Sequence, residues 1–217
     1  MNVVVVVLAL LGIGAAVGHY LMPPYNPGFA RFPAITDVHV VLGAVYLGLA
    51  PLQFLRPLRA RWPAVHRWLG RSLVGIGLVI GLSALFLGFV VPMSGNPERV
   101  VIGAFGGLFL ASLVLSVVRI RERRVAEHRE WMIRAFAIGL SIATMRLIFI
   151  PALMVVGNPT EQQVAVLSVS SFAIAFAIHA LVAEWWIRRT RPMPRRAAPL
   201  PKTTTATIGA GAPTPRA

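Results

Sequence analysis

Six long apolar stretches, each about as long as a bilayer is thick, constrain this chain more than any other feature. A hydrocarbon core about 30 Å thick takes about 20 residues of helix to cross. The stretches cover 2–22, 36–54, 66–91, 100–118, 131–156 and 163–187. None alternates with period two, and in lipid only a helix or a closed barrel satisfies its own backbone. Six transmembrane helices follow. The first stretch lacks a basic leader and a small-residue cleavage site, and it is longer than a signal-peptide core, so it reads as a retained span. Composition agrees: 57% hydrophobic and 13% charged residues, with mean hydropathy +0.74, against about 45–50% and 25% in soluble domains. The expected fold is an all-α integral membrane bundle of six transmembrane helices over 1–188. The chain has no Cys, which excludes disulfides, thiolate metal sites and a cysteine nucleophile.

The net charge of +14 raises nucleic acid as a partner, but the positions of the charges argue otherwise. Five arginines (56, 59, 61, 67, 71) lie between spans two and three. Six (119, 121, 123, 124, 129, 134) lie between spans four and five. Seven basic residues, Arg188 to Arg216, follow span six. These eighteen fall on one side; the other side has only Arg31 and Arg99, and Arg146 is inside span five. By the positive-inside rule both termini are cytoplasmic, N-in/C-in. Trp62, Trp68, Trp131, Trp185 and Trp186 fall at that same inner interface, where an amphipathic ring is favoured. The basic excess is topological, and the expected partner is the lipid bilayer, with no nucleic acid. A homo-oligomer or another membrane partner is left open. Residues 189–217, rich in Pro, Thr and Ala with a basic start, read as a disordered cytoplasmic tail.

Two inner loops resemble each other: His66-Arg67-Trp68-Leu69-Gly70-Arg71 and His128-Arg129-Glu130-Trp131-Met132-Ile133-Arg134. Together with Thr144-Met145-Arg146-Leu147-Ile148-Phe149 inside span five and Pro51 to Pro57 at the end of span two, they make the chain resemble the bacterial membrane-protein family called domain of unknown function 2306, over roughly 36–187. The resemblance implies a multi-pass protein of the bacterial cytoplasmic (inner) membrane. It implies no reaction.

Candidate functional residues come from depth and helical spacing. Arg146 sits ten residues, about 15 Å, from the outer end of span five. An arginine at such depth costs about 2.5–3.5 kcal/mol, so it is expected to face the bundle and to have a partner. Asp37 is the expected one, as a structural staple; an anion site, for a substrate or a haem propionate, is the functional alternative. His39, Tyr46 and Gln53 recur every seven residues on span two as a polar stripe. With Arg146 they are candidates to line a polar cavity. Among the histidines, His19 and His39 lie near the outer end and His66 and His128 at the inner mouth, while His179 lies deeper in span six. Paired imidazoles at equal depth suit haem b or a metal ion, although interfacial histidines usually only hydrogen-bond. Small residues line span three (Gly70, Gly77, Gly81, Ala84, Gly88) and span four (Gly103, Gly107, Ala111), the pattern of close helix packing. Glu184 is spaced for an i,i+4 pair with Arg188. There is no P-loop, GxSxG, HExxH or dinucleotide turn. Two readings remain: a non-enzymatic small transporter or membrane scaffold, and a haem b electron-transfer module.

Overall fold

The computed structural model describes residues 3–21 and 27–191. The chain forms α1 (Val3–Leu21), α2 (Pro33–Leu49), α3 (Arg56–Arg61), α4 (Pro63–Val90), α5 (Asn96–Arg121), α6 (Val125–Val156) and α7 (Glu161–Thr190). All but the six-residue α3 lie in the six segments long and apolar enough to cross a membrane. No strand occurs among the described residues. The tail reading falls almost wholly outside them.

The element ends follow local chemistry. Proline stands in the first turn of α2, α4 and α5, where its missing N–H is no loss. A capping box, Thr160 with Gln163, opens α7. Val91 ends α4 because Pro92 disfavours helical geometry before it. Gly157 ends α6 at φ 76°, a left-handed conformation glycine adopts freely. Span two differs from expectation in its last turn. Pro51 lacks a donor, and residues Ala50–Phe54 tighten into a 3-10 turn. The basic α3 then leads into α4, a helix the hydropathy pattern did not announce.

Five helices close a ring. α1 packs on α2 and α6, α2 on α4, α4 on α5, and α5 on α6; α7 lies outside, against α6 and α5. Tyr46 of α2 is in the middle, edge-on to Phe109 of α5 at 6.0 Å. Close approach there depends on missing side chains. A Cβ at Gly77 would fall 3.4 Å from the Tyr46 ring, and one at Gly139 would fall 3.2 Å from it. The expected small-residue face of α4 is therefore a packing face. That of α5 is rotated: Gly103 and Gly106 meet Phe89 and Leu85, while Gly107 has open space and Ala111 is exposed. Positions 106 and 107 are 100° apart on a helix, and the crossing with α4 selects the former.

Candidate functional site

The polar stripe of α2 points into the ring. Tyr46 is 3% exposed and Gln53 is 9% exposed, so neither faces lipid. His39, seven residues or about 10 Å outward from Tyr46, turns its Nδ1 to α4, at 3.2 Å from the Ile80 carbonyl and 3.0 Å from Ser83 Oγ. A carbonyl only accepts, and the Ser83 hydroxyl already donates to Val79 and Ile80 carbonyls. Nδ1 therefore carries the proton, and Nε2 is left as the open nitrogen. Arg146 of α6 lies at the same depth, close enough to His39 for the two to interact electrostatically.

Arg146 does not meet Asp37. Its Nη1 donates to its own helix, to the Ile142 carbonyl at 3.2 Å. Asp37 instead accepts from Tyr20 Oη of α1 at 3.0 Å. The expected staple is absent because Asp37 and His39 are two residues apart, 200° around the helix. Only His39 shares Arg146's surroundings. Among the described residues, no carboxylate lies within ion-pair distance of Arg146. The same rotation separates His19 from His39. His19 packs edge-on to Tyr20 and lines a shallow cleft with Thr36 and Asp37, whereas His39 engages α4.

The arginine-rich end is arranged differently. His128, in the first turn of α6, places Nδ1 2.9 Å from the Ser116 carbonyl of α5. His66, in the first turn of α4, interacts with it electrostatically, and α5 packs against both of their helices. So the structure brings His66 and His128 toward one another and keeps His19 and His39 apart. His179 belongs to neither set. It ties α7 to α6 through Nε2 and Thr144 Oγ1 at 2.8 Å.

Among the described residues, the stripe and His66 hold three buried polar atoms with no hydrogen-bond partner, Tyr46 Oη, Gln53 Nε2 and His66 Nδ1, and the serine hydroxyls of Ser112 on α5 and Ser168 on α7 are orphaned as well. Gly70 leaves the room that Gln53 occupies, since a Cβ there would sit 3.3 Å from its Oε1. Each such orphan costs about 1–3 kcal/mol unless something hydrogen-bonds it.

The acids lie away from this column. Glu98 accepts from the Ser94 backbone N–H at 2.7 Å. Glu122 and Glu127 pair with Arg119 and Arg124, and that pairing, led by Arg119, holds the Glu122 carboxyl below its usual range. Glu130 and Arg191 form two bonds of 2.8 and 2.9 Å, which push the arginine's pKa up. Glu184 pairs with Arg134 across helices and not with Arg188 as its spacing suggested. The Arg134 guanidinium also lies over the Trp131 ring, 4.5 Å from its centroid, a cation–π contact. Partners such as Ser83, Ser116 and Thr144 had no signal in the sequence.

This all-helical membrane bundle, with a buried polar column and an intramembrane arginine, matches the family described as predicted membrane proteins with domain of unknown function 2306 over residues 36–187. The chain belongs to that family. No curated protein and no solved structure matches it.

Proposed function

We propose that the protein is a small multi-pass transporter of the bacterial cytoplasmic membrane, with the column from His39 to His66 as its path. The observation that carries this reading is the set of orphaned polar atoms, with Tyr46 Oη and Gln53 Nε2 inside the ring of helices and His66 Nδ1 at its rim. A half-satisfied polar network is costlier than an apolar core. Water or a polar solute passing through would supply the partners. Arg146 and His39 mark the outer end of the path, and His66 and His128 the inner end.

The cysteine-free chain allows a direct test. Single cysteines replace Ser83, Tyr46 or Gln53, with Ser171→Cys as the buried control on α7. In membranes, a small water-soluble methanethiosulfonate is expected to modify the first three and spare the fourth. If none of the three reacts, the path is dry and the reading fails.

A second reading has its own observation. His128 is fixed through Nδ1 by a backbone carbonyl, the arrangement that aims Nε2 at a metal, and His66 approaches it. These two residues would be the axial ligands of one haem b, or would hold a metal ion. A two-haem electron path is not supported, because His19 and His39 do not converge. Protein purified from haem-sufficient cells would show a Soret band that His128→Ala abolishes; a flat spectrum rejects this reading.

A further inference from the structure

Arg146 is a half-buried guanidinium in the apolar part of the bundle whose single side-chain hydrogen bond among the described residues goes to its own helix. A charge at that depth is costly unless an opposite charge meets it. The described residues do not supply one. Of the seven acids in the chain, Asp37 is bound to Tyr20 and Glu98 to the turn before α5. Glu122, Glu127, Glu130 and Glu184 are paired with arginines at the inner rim. Glu161 lies exposed in the first turn of α7. None adjoins the column. Every ionisable group along it is basic or neutral: Arg146 and His39 outside, His66 and His128 inside, with Arg59 and Arg67 close to His66. The fixed positive charges are Arg146 near one end and Arg59 and Arg67 near the other, an arrangement that favours anions over cations.

We propose that the Arg146 guanidinium binds a small free anion, so that the column passes anions and rejects cations. The proposal rests on the transport reading and narrows it to a substrate class. The guanidinium supplies charge-assisted N–H donors, and the Tyr46 hydroxyl and Gln53 amide supply neutral donors further in. A phospholipid phosphate reaching Arg146 from the outer leaflet would satisfy the same guanidinium, so the test separates the two sources.

Full-length protein is reconstituted in phosphatidylcholine vesicles loaded with lucigenin, with chloride outside and valinomycin with potassium carrying the counter-charge. Formate entry is followed in parallel by osmotic recovery. Chloride or formate is expected to enter faster than into protein-free vesicles. Arg146→Gln is expected to slow entry about tenfold, the effect of losing one charge-assisted contact, while Arg146→Lys keeps most of it. Equal size-exclusion and thermal-melting profiles for the two variants show that the loss is not misfolding. Without valinomycin, potassium is expected not to leak. The inference is overturned if neither anion enters, or if potassium passes as readily as chloride. It is also overturned if wild-type protein carries one phospholipid phosphorus that Arg146→Gln loses while chloride stays out. If the cysteines at 46, 53 and 83 react with water-soluble reagent yet no anion enters, the polar path survives and only its anion selectivity is lost.

Discussion

Three arginines compete for the single negative charge of Glu184: Arg188 on its own helix, Arg191 just beyond it, and Arg134 on α6. Arg134 wins by geometry, with Nε at 2.5 Å from one carboxylate oxygen and Nη2 at 3.2 Å from the other. The bidentate fork gains more than a single contact, but the Glu184 side chain is 40% exposed, so solvent screens the pair. A double-mutant cycle of Arg134→Ala and Glu184→Ala is expected to give a coupling of about 1 kcal/mol in detergent unfolding, the upper end for exposed pairs. The same cycle with Arg188→Ala should give none. Glu122 makes a pH argument of the same kind. Its carboxyl is held below its ordinary value of 4.5 by Arg119 first and Arg124 second. A depressed folded value means that the stabilisation is complete above the ordinary value and disappears as pH falls through the depressed one. Glu122→Gln is therefore expected to lower the melting temperature slightly at neutral pH, and the gap from wild type should close as pH drops below 4.5. A gap that widens on acidification would contradict the pairing.

At the scale of the elements, the glycines of α4 are not equivalent. A Cβ at Gly88 would fall 2.6 Å from Ile102 Cγ2 and 3.1 Å from its Cβ, atoms held close to the α5 backbone. A Cβ at Gly75 would meet nothing within 4 Å. Gly88→Ala is expected to destabilise the bundle by about 1–3 kcal/mol, the usual cost of overpacking. Gly75→Ala should be neutral or gain up to about 1 kcal/mol from helix propensity. Thermal melts in one detergent compare them directly. The glycines also show how much of the fold the sequence made legible. The six spans, the packing face of α4 and the inward stripe His39–Tyr46–Gln53 are properties of one helix at a time, and periodicity reveals them. Which atom meets which across helices depends on how far neighbours are rotated and offset. That is why spacing alone matches Asp37 to Arg146, Gly107 to a partner it lacks, and Glu184 to Arg188. The pairs that hold α6 to α7, Arg134–Glu184 and Arg191–Glu130, join residues far apart in the chain, and no spacing rule reports them.

At the scale of the whole molecule, the helix connections gather the arginines at one end. The His128–Ser116 bond places the end of α5 beside the start of α6, and Arg191–Glu130 places the end of α7 there too. Arg61, Arg121 and Arg124 share that end with them, at the tips of α3, of α5 and of the turn into α6. The opposite end has Arg31 and Arg99, and Arg99 is engaged by Asn96 and the Phe89 carbonyl. Translocating a cluster of arginines against the membrane potential costs about 2.3 kcal/mol per charge per 100 mV, so the rich end is expected to stay inside and carry the C-terminal segment with it. Asn158, exposed in the turn between α6 and α7, then lies outside, and Arg121 lies inside. In intact cells, a membrane-impermeant maleimide is expected to label Asn158→Cys and to label Arg121→Cys only after the cells are opened. Labelling of position 121 in intact cells would invert the molecule. It would put His66 and His128 at the outer mouth and Arg146 toward the cytoplasm, so an anion entering from outside would meet the imidazoles before the guanidinium.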